Sequence, residues 1–298
     1  MINYLLSFIT GAVISVMVIF NTEFGAVTST EISTMVNQAV GIIALTLLMF
    51  LLRNNKNLCP KREKSHWYMY FGGIFGLFIL TFNFYTVLEI GATLAMALAV
   101  FGQSATGLFF DLTGLFGMEK KTITKQKWIS LAISFLGILV MSLLSGGTFK
   151  PVYLLMGLAA GALTMTQMIY NSTFAKAKGP LFSARQNVIS GLIGIIIFAF
   201  ITKPQESINA ISILPSVPFY LIVGGGLLGV WVVVSTNIVI PKIPAVYSAL
   251  LLSAGQLLAS LILDYFIYST FSFALLIGTA IMLIGMVLSF LSDKKAAS

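Results

Sequence analysis

Among the polar residues that interrupt the apolar runs of this chain, six carboxamides and two carboxylates recur at matching places in its two halves. They are Asn21, Asn37 and Gln103, then Asn171, Asn187 and Gln256, with Asp111 and Asp264 each eight residues beyond a glutamine. An amide side chain offers two donors and an acceptor oxygen, so the six could hold polar groups of a bound molecule without supplying charge. They could equally bond one helix to its neighbour, an interaction averaging about 0.6 kcal/mol in a membrane. The aspartates read as proton or cation relays at a gate, or as solvated or capped helix ends. Eight helical residues place them about 12 Å from the glutamines. Glu23 and Glu31 either attract cations at an outer mouth or sit in a surface loop. Tyr85, Tyr170 and Tyr247 are candidates to flank a cavity or to anchor in an interface.

Enzyme chemistry finds little to work with. No HExxH, CxxC or Gly-x-Ser-x-Gly string occurs, and no close pair of acids is evident. Cys59 is the single cysteine, which excludes an internal disulfide, and no Cys/His cluster suggests zinc. His66 is the single histidine and sits beside Trp67 in a basic loop. A Gly-x-x-x-x-Gly-Lys-[Ser/Thr] phosphate loop is absent too, so ATP is not the expected energy source. No cofactor or metal is expected.

The elements that must carry these residues follow from composition. Of 298 residues 58% are apolar and 9% charged, with a mean hydropathy of +1.00. Soluble domains carry about 25% charged residues, and disorder needs low hydrophobicity. A β-barrel would show short alternating segments, which runs such as Phe71–Leu80 do not. The expected fold is an all-α membrane protein of ten transmembrane helices, near residues 4–21, 32–52, 67–87, 92–113, 128–146, 152–172, 185–202, 217–238, 245–265 and 272–291. The first stretch lacks a basic leader and a cleavage site, so it reads as a span. Glu23 then falls just past the first helix.

Charge sets the orientation. The net charge of +8 is spread through short loops rather than gathered on a face, so it signals topology and not nucleic acid. With the N-terminus inside, 15 of the 17 Lys and Arg residues fall in inner loops or the tail, leaving only Lys150 and Lys203 outside. Both termini are therefore expected in the cytoplasm, in a cell membrane.

The chain also repeats itself. At an offset of 150, Gly11, Asn21, Ser33, Asn37 and Gly41 meet Gly161, Asn171, Ser183, Asn187 and Gly191. At 153, Gly72, Gly73 and Gly76 meet Gly225, Gly226 and Gly229, while Gln103 and Asp111 meet Gln256 and Asp264. Residues 1–149 and 150–298 thus form two five-helix repeats. Because five is odd, the second is inverted, as in many secondary transporters with a site near the midplane. The Gly-x-x-x-Gly pairs let backbones approach closely. Gln103 and Gln256, flanked by Asn37 and Asn187, are expected to meet at that midplane.

Phe20-Asn21-Thr22 through Val36-Asn37-Gln38-Ala39-Val40-Gly41, with Gly91-Ala92-Thr93 leading to Gln103 and Asp111, resembles the YdcZ-like family. Those are inner-membrane exporters of the drug/metabolite transporter superfamily, often built from one five-helix unit. The chain looks like a fused, double-length form. The resemblance implies a ten-helix bundle with peripheral fifth and tenth helices and export of a small molecule. One departure concerns the carboxylate that small multidrug-resistance relatives carry in the first helix, for Tyr4–Phe20 contains no acid. The expected function is a secondary exporter of a small metabolite or drug-like molecule, with one copy forming the transport unit. The alternatives are a lipid or amphiphile flippase, a channel-like permease or, more remotely, an integral enzyme.

Overall fold

A computed structural model describes residues 2–61, 63–115, 120, 124–144, 150–240, 242, 245–268 and 272–297. The side chain of Tyr247, named above, lies outside the described residues, as do Pro241 and Pro244.

Among the described residues eleven α-helices follow one another: α1 (Ile2–Val27), α2 (Thr30–Leu51), α3 (Ile74–Ile90), α4 (Ala92–Thr113), α5 (Lys125–Leu144), α6 (Pro151–Lys178), α7 (Pro180–Thr202), α8 (Pro204–Ile213), α9 (Phe219–Val239), α10 (Ala245–Leu263) and α11 (Phe273–Ala297). Strands are absent among the described residues. Eight helical stretches are long and apolar enough to cross a membrane, and two more apolar segments, Leu251–Ile267 and Phe273–Leu288, are shorter. The protein is an all-α membrane protein.

Helix ends follow local chemistry. The Ser29 hydroxyl accepts a bond from the Ile32 N–H and Glu31 lies in the first turn, which together satisfy and charge-match the start of α2. A single residue joins α3 to α4 and another joins α6 to α7. These are Gly91 at φ +82° and Gly179 at φ +89°, a conformation that side chains with a Cβ avoid. The helix α8 was not anticipated, since ten residues cannot span and 203–216 reads as a loop. Pro204 at its first position and Glu206 in its first turn favour it, and it buries Ser207 and Ala210. Helix α1 is also longer than its hydropathy suggests. It continues to Val27 and therefore contains Glu23, which sequence reasoning had put beyond it.

The broadest helix interfaces all join the first 149 residues to the remainder: α5 with α11, α1 with α10 and α9, α4 and α3 with α6, and α2 with α7 and α9. Glycines permit these crossings, and they come in equivalent pairs. A Cβ on Gly11 would fall 2.0 Å from the Leu252 carbonyl oxygen, and one on Gly161 would fall 1.9 Å from that of Ala99. A Cβ on Gly102 would fall 2.2 Å from the Leu158 carbonyl oxygen, and one on Gly255 would fall 2.1 Å from that of Phe8. Likewise Gly137 abuts Gly278 and Met282, while Gly285 abuts Ser130 and Ser134. Each contact recurs with the halves exchanged, which is a pseudo-two-fold relation.

Candidate functional site

The four asparagines form two equivalent pairs. Asn37 Nδ2 on α2 donates to Asn21 Oδ1 on α1 at 2.7 Å; Asn171 Nδ2 on α6 donates to Asn187 Oδ1 on α7 at 3.1 Å. Beneath each pair a serine ties the two helices together. Ser33 Oγ donates to the Asn21 carbonyl at 3.1 Å, and Ser183 Oγ to the Asn171 carbonyl at 2.9 Å. Each pair is closed by glycines from the opposite half. A Cβ on Gly225 would lie 2.0 Å from Asn21 Oδ1 and 2.7 Å from Asn37 Oδ1, while one on Gly72 would lie 2.5 Å from Asn171 Oδ1. The repeated glycines therefore let a third segment, α9 in one case and the turn before α3 in the other, seal an amide pair. Asn37 Oδ1 is enclosed with no hydrogen-bond partner, an arrangement that is costly in a packed interior.

The glutamines form a third pair. Gln103 Nε2 on α4 donates to Gln256 Oε1 on α10 at 3.3 Å, with both residues buried. Ser15 Oγ on α1 donates to the Gln256 carbonyl at 2.8 Å. Among the described residues no hydrogen bond joins this pair to Asn37 or Asn187. The candidate residues are thus brought together two by two, and the single cluster expected from the sequence is not formed through direct bonds.

The acids occupy distinct settings. Asp264, in a π-helical turn running to Tyr268, places Oδ1 3.1 Å from the Ala92 N–H and Oδ2 2.6 Å from the Thr93 N–H. Its carboxylate therefore caps α4, where orphan donors and the helix dipole favour an anion. Asp111, at the other end of α4, lies 3.5 Å from Lys127 Nζ on α5. Glu23 is half-buried on α1. Glu31 is buried and reaches Lys203 Nζ at 3.3 Å, with Glu206 at 3.5 Å from the same ammonium. Burial lowers the pKa of Lys203, but Glu31, aided by Tyr85 and Glu206, more than offsets this and leaves it above the ordinary lysine value. At Lys150 a hydrogen bond to Glu89 has the same raising effect.

Two further amides border the site and were not singled out from the sequence. Gln167 Nε2 on α6 donates to the Gly72 carbonyl at 3.0 Å and to Asn187 Oδ1 at 3.2 Å. Gln38 on α2 is 8% exposed and lies against Gly191. A helical signal for Gln167 existed, since it precedes Asn171 by four residues and shares its face. Selecting amides by their recurrence in both halves discarded it, because its counterpart is Met17. Tyr170 is also tied into this region through a bond from its hydroxyl to the Tyr68 carbonyl.

The family described as "Putative inner membrane exporter, YdcZ" matches residues 2–140 and again 152–288. The chain belongs to the YdcZ family. It carries two tandem copies of the YdcZ unit, which makes it a double-length member, and the family assignment places it among integral inner-membrane transporters. A solved structure titled "Crystal structure of protein" is similar in fold, with a TM-score of 0.66 at 18% identity over 99% of each chain. Comparison with curated proteins found no match.

Proposed function

We propose that this YdcZ-family chain is a secondary transporter that exports a small molecule by alternating access between inverted repeats 1–149 and 150–298. The observation that carries the reading is the exchange of equivalent seals: Asn21–Asn37 closed by Gly225, and Asn171–Asn187 closed by Gly72. Two equivalent closures on opposite halves are what a carrier needs to open one side while shutting the other. In this reading ten spans cross the bilayer with both termini cytoplasmic, which the placement of Lys and Arg supports. The Asn pairs, with Gln103 and Gln256, orient the passenger. In this reading Asp111, Asp264 and Glu23 gate the ends of the pathway.

Flux into vesicles containing the purified protein, with lipid flipping followed in parallel, tests the reading. Solute exchange without flipping is expected. Asn37→Ala and Asn187→Ala should each weaken apparent affinity up to roughly tenfold, the value of one amide bond. Lipid flipping that outpaces solute flux, or flux unchanged in both variants, would overturn it. Cys59 should react with an impermeant thiol reagent only from the cytoplasmic side.

A further inference from the structure

The glycine crossings and asparagine pairs recur in both halves, and one set of positions near them does not. A Cβ on Gly76 would lie 3.4 Å from Gln167 Nε2 and 3.7 Å from Gln38 Nε2. The positions equivalent to Gly76, Gln167 and Gln38 are Gly229, Met17 and Val188. There a Cβ on Gly229 would lie 3.6 Å from Met17 Sδ, and one on Gly41 would lie 3.2 Å from Val188 Cγ1. Symmetry thus pairs two carboxamides on one side with a thioether and a branched aliphatic chain on the other.

Gln38 itself lacks what a structural amide should have. It is 8% exposed, its carboxamide makes no hydrogen bond among the described residues, and its polar atoms keep a little accessible surface. Gln167 commits its donors to the Gly72 carbonyl and Asn187 Oδ1, which leaves its own carbonyl oxygen to accept. An unpaired buried amide is destabilising unless something completes its bonds. Val188, its symmetry mate, faces Gly41 at the equivalent point of the same α2–α7 crossing and supplies no amide there. Among the described residues no charged side chain bonds to either glutamine, so a full charge brought here would find no counter-ion to offset its desolvation.

We propose that Gln38 and Gln167 form the hydrogen-bonding part of a substrate subsite for a neutral amphiphile. The use of this subsite in transport rests on the reading above; its ability to bind does not.

Three probes sharing a phenyl ring separate the chemistries: neutral N-acetylphenylalaninamide, cationic benzyltrimethylammonium and anionic phenylacetate. Each is titrated against the full chain in detergent while the thermal unfolding midpoint is followed. The neutral probe should raise the midpoint, and the two ions should not. Gln38→Met and Gln167→Met, which keep volume but remove the amide, should each weaken neutral-probe binding up to roughly tenfold. Gln38→Met should also leave the probe-free midpoint equal or higher, a readout that a misfolded variant could not give. Asn57→Ala, in an exposed loop, should change neither quantity. Wild-type protein that ignores the neutral probe, or binds the cation as tightly, overturns the subsite. So does a double Gln→Met variant with wild-type affinity. Glutamine-dependent binding with no flux of labelled probe across vesicles keeps the subsite and overturns transport. Flux that survives the double variant unchanged keeps transport and overturns the subsite.

Discussion

Asp264 joins two helices that are remote in sequence. Its oxygens hold the first two N–H groups of α4, residues 172 and 171 positions away. Asp264→Ala would leave both donors buried without partners, at about 1–3 kcal/mol each. Asp264→Asn keeps one acceptor oxygen and should lose less. Unfolding by heat in detergent should therefore rank wild type above Asn and Asn above Ala. Should Asn equal wild type, the cap contributes nothing to stability. The recurrence of Asp111 and Asp264 was legible in the sequence, as was the option of a capped helix end. The identity of the capped helix was not, because nothing local to residue 264 points to residues 92 and 93. Gln38 and Gln167 were hidden for the opposite reason: a search for matched residues passes over the positions where the halves differ.

At the scale of helices, hydropathy located the long spans, because twenty apolar residues leave few alternatives in a bilayer. Helix α8 escaped it, since a ten-residue helix that buries only Ser207 and Ala210 gives no spanning signal. The glycine pattern was legible as small residues at helix crossings, but not the surfaces they meet. Those surfaces separate two kinds of glycine. A Cβ on Gly225 would enter the oxygen of Asn21, whereas one on Gly194 would come no closer than 3.8 Å to Ile74. Gly225→Ala is therefore expected to destabilise by about 1–3 kcal/mol through overpacking and to suppress flux, because α9 could no longer seal the amide pair. Gly194→Ala should be neutral or stabilising by up to about 1 kcal/mol, the helix propensity difference. Melting curves and vesicle flux on the two variants check this. Equal behaviour would mean that the close approach of α9 to Asn21 has no role in closure.

In the molecule as a whole, the covalent order of the helices and their packing order differ. Since the largest interfaces run between the halves, neither half buries its own faces. Residues 1–149 and 150–298 expressed together as separate chains should therefore co-purify and regain flux, while either alone should be degraded or aggregate. Stable, monodisperse single halves would contradict the interleaved packing. The intact chain should also transport as a single copy, with no residue borrowed from a second molecule. The sequence repeat made this architecture legible at a coarse level. The choice of neighbours, such as α1 with α10 rather than with α4, depended on which glycines face which carbonyls, and that is a property of three dimensions.

Interleaving also constrains how the protein is made. Ser15 on α1 waits for Gln256, 241 residues further along, before its hydroxyl finds its carbonyl. During synthesis α1 through α5 must therefore reside in the bilayer with their glycine-lined faces covered only by lipid or by the insertion machinery. Helix α11, which emerges after α1 through α10, covers α5. A ribosome that stops just short of α11 would release a chain with one glycine-bearing seam still open, able to take the α11 of another molecule. Premature termination late in the message thus carries a hazard: an unfinished chain that can poison a finished one.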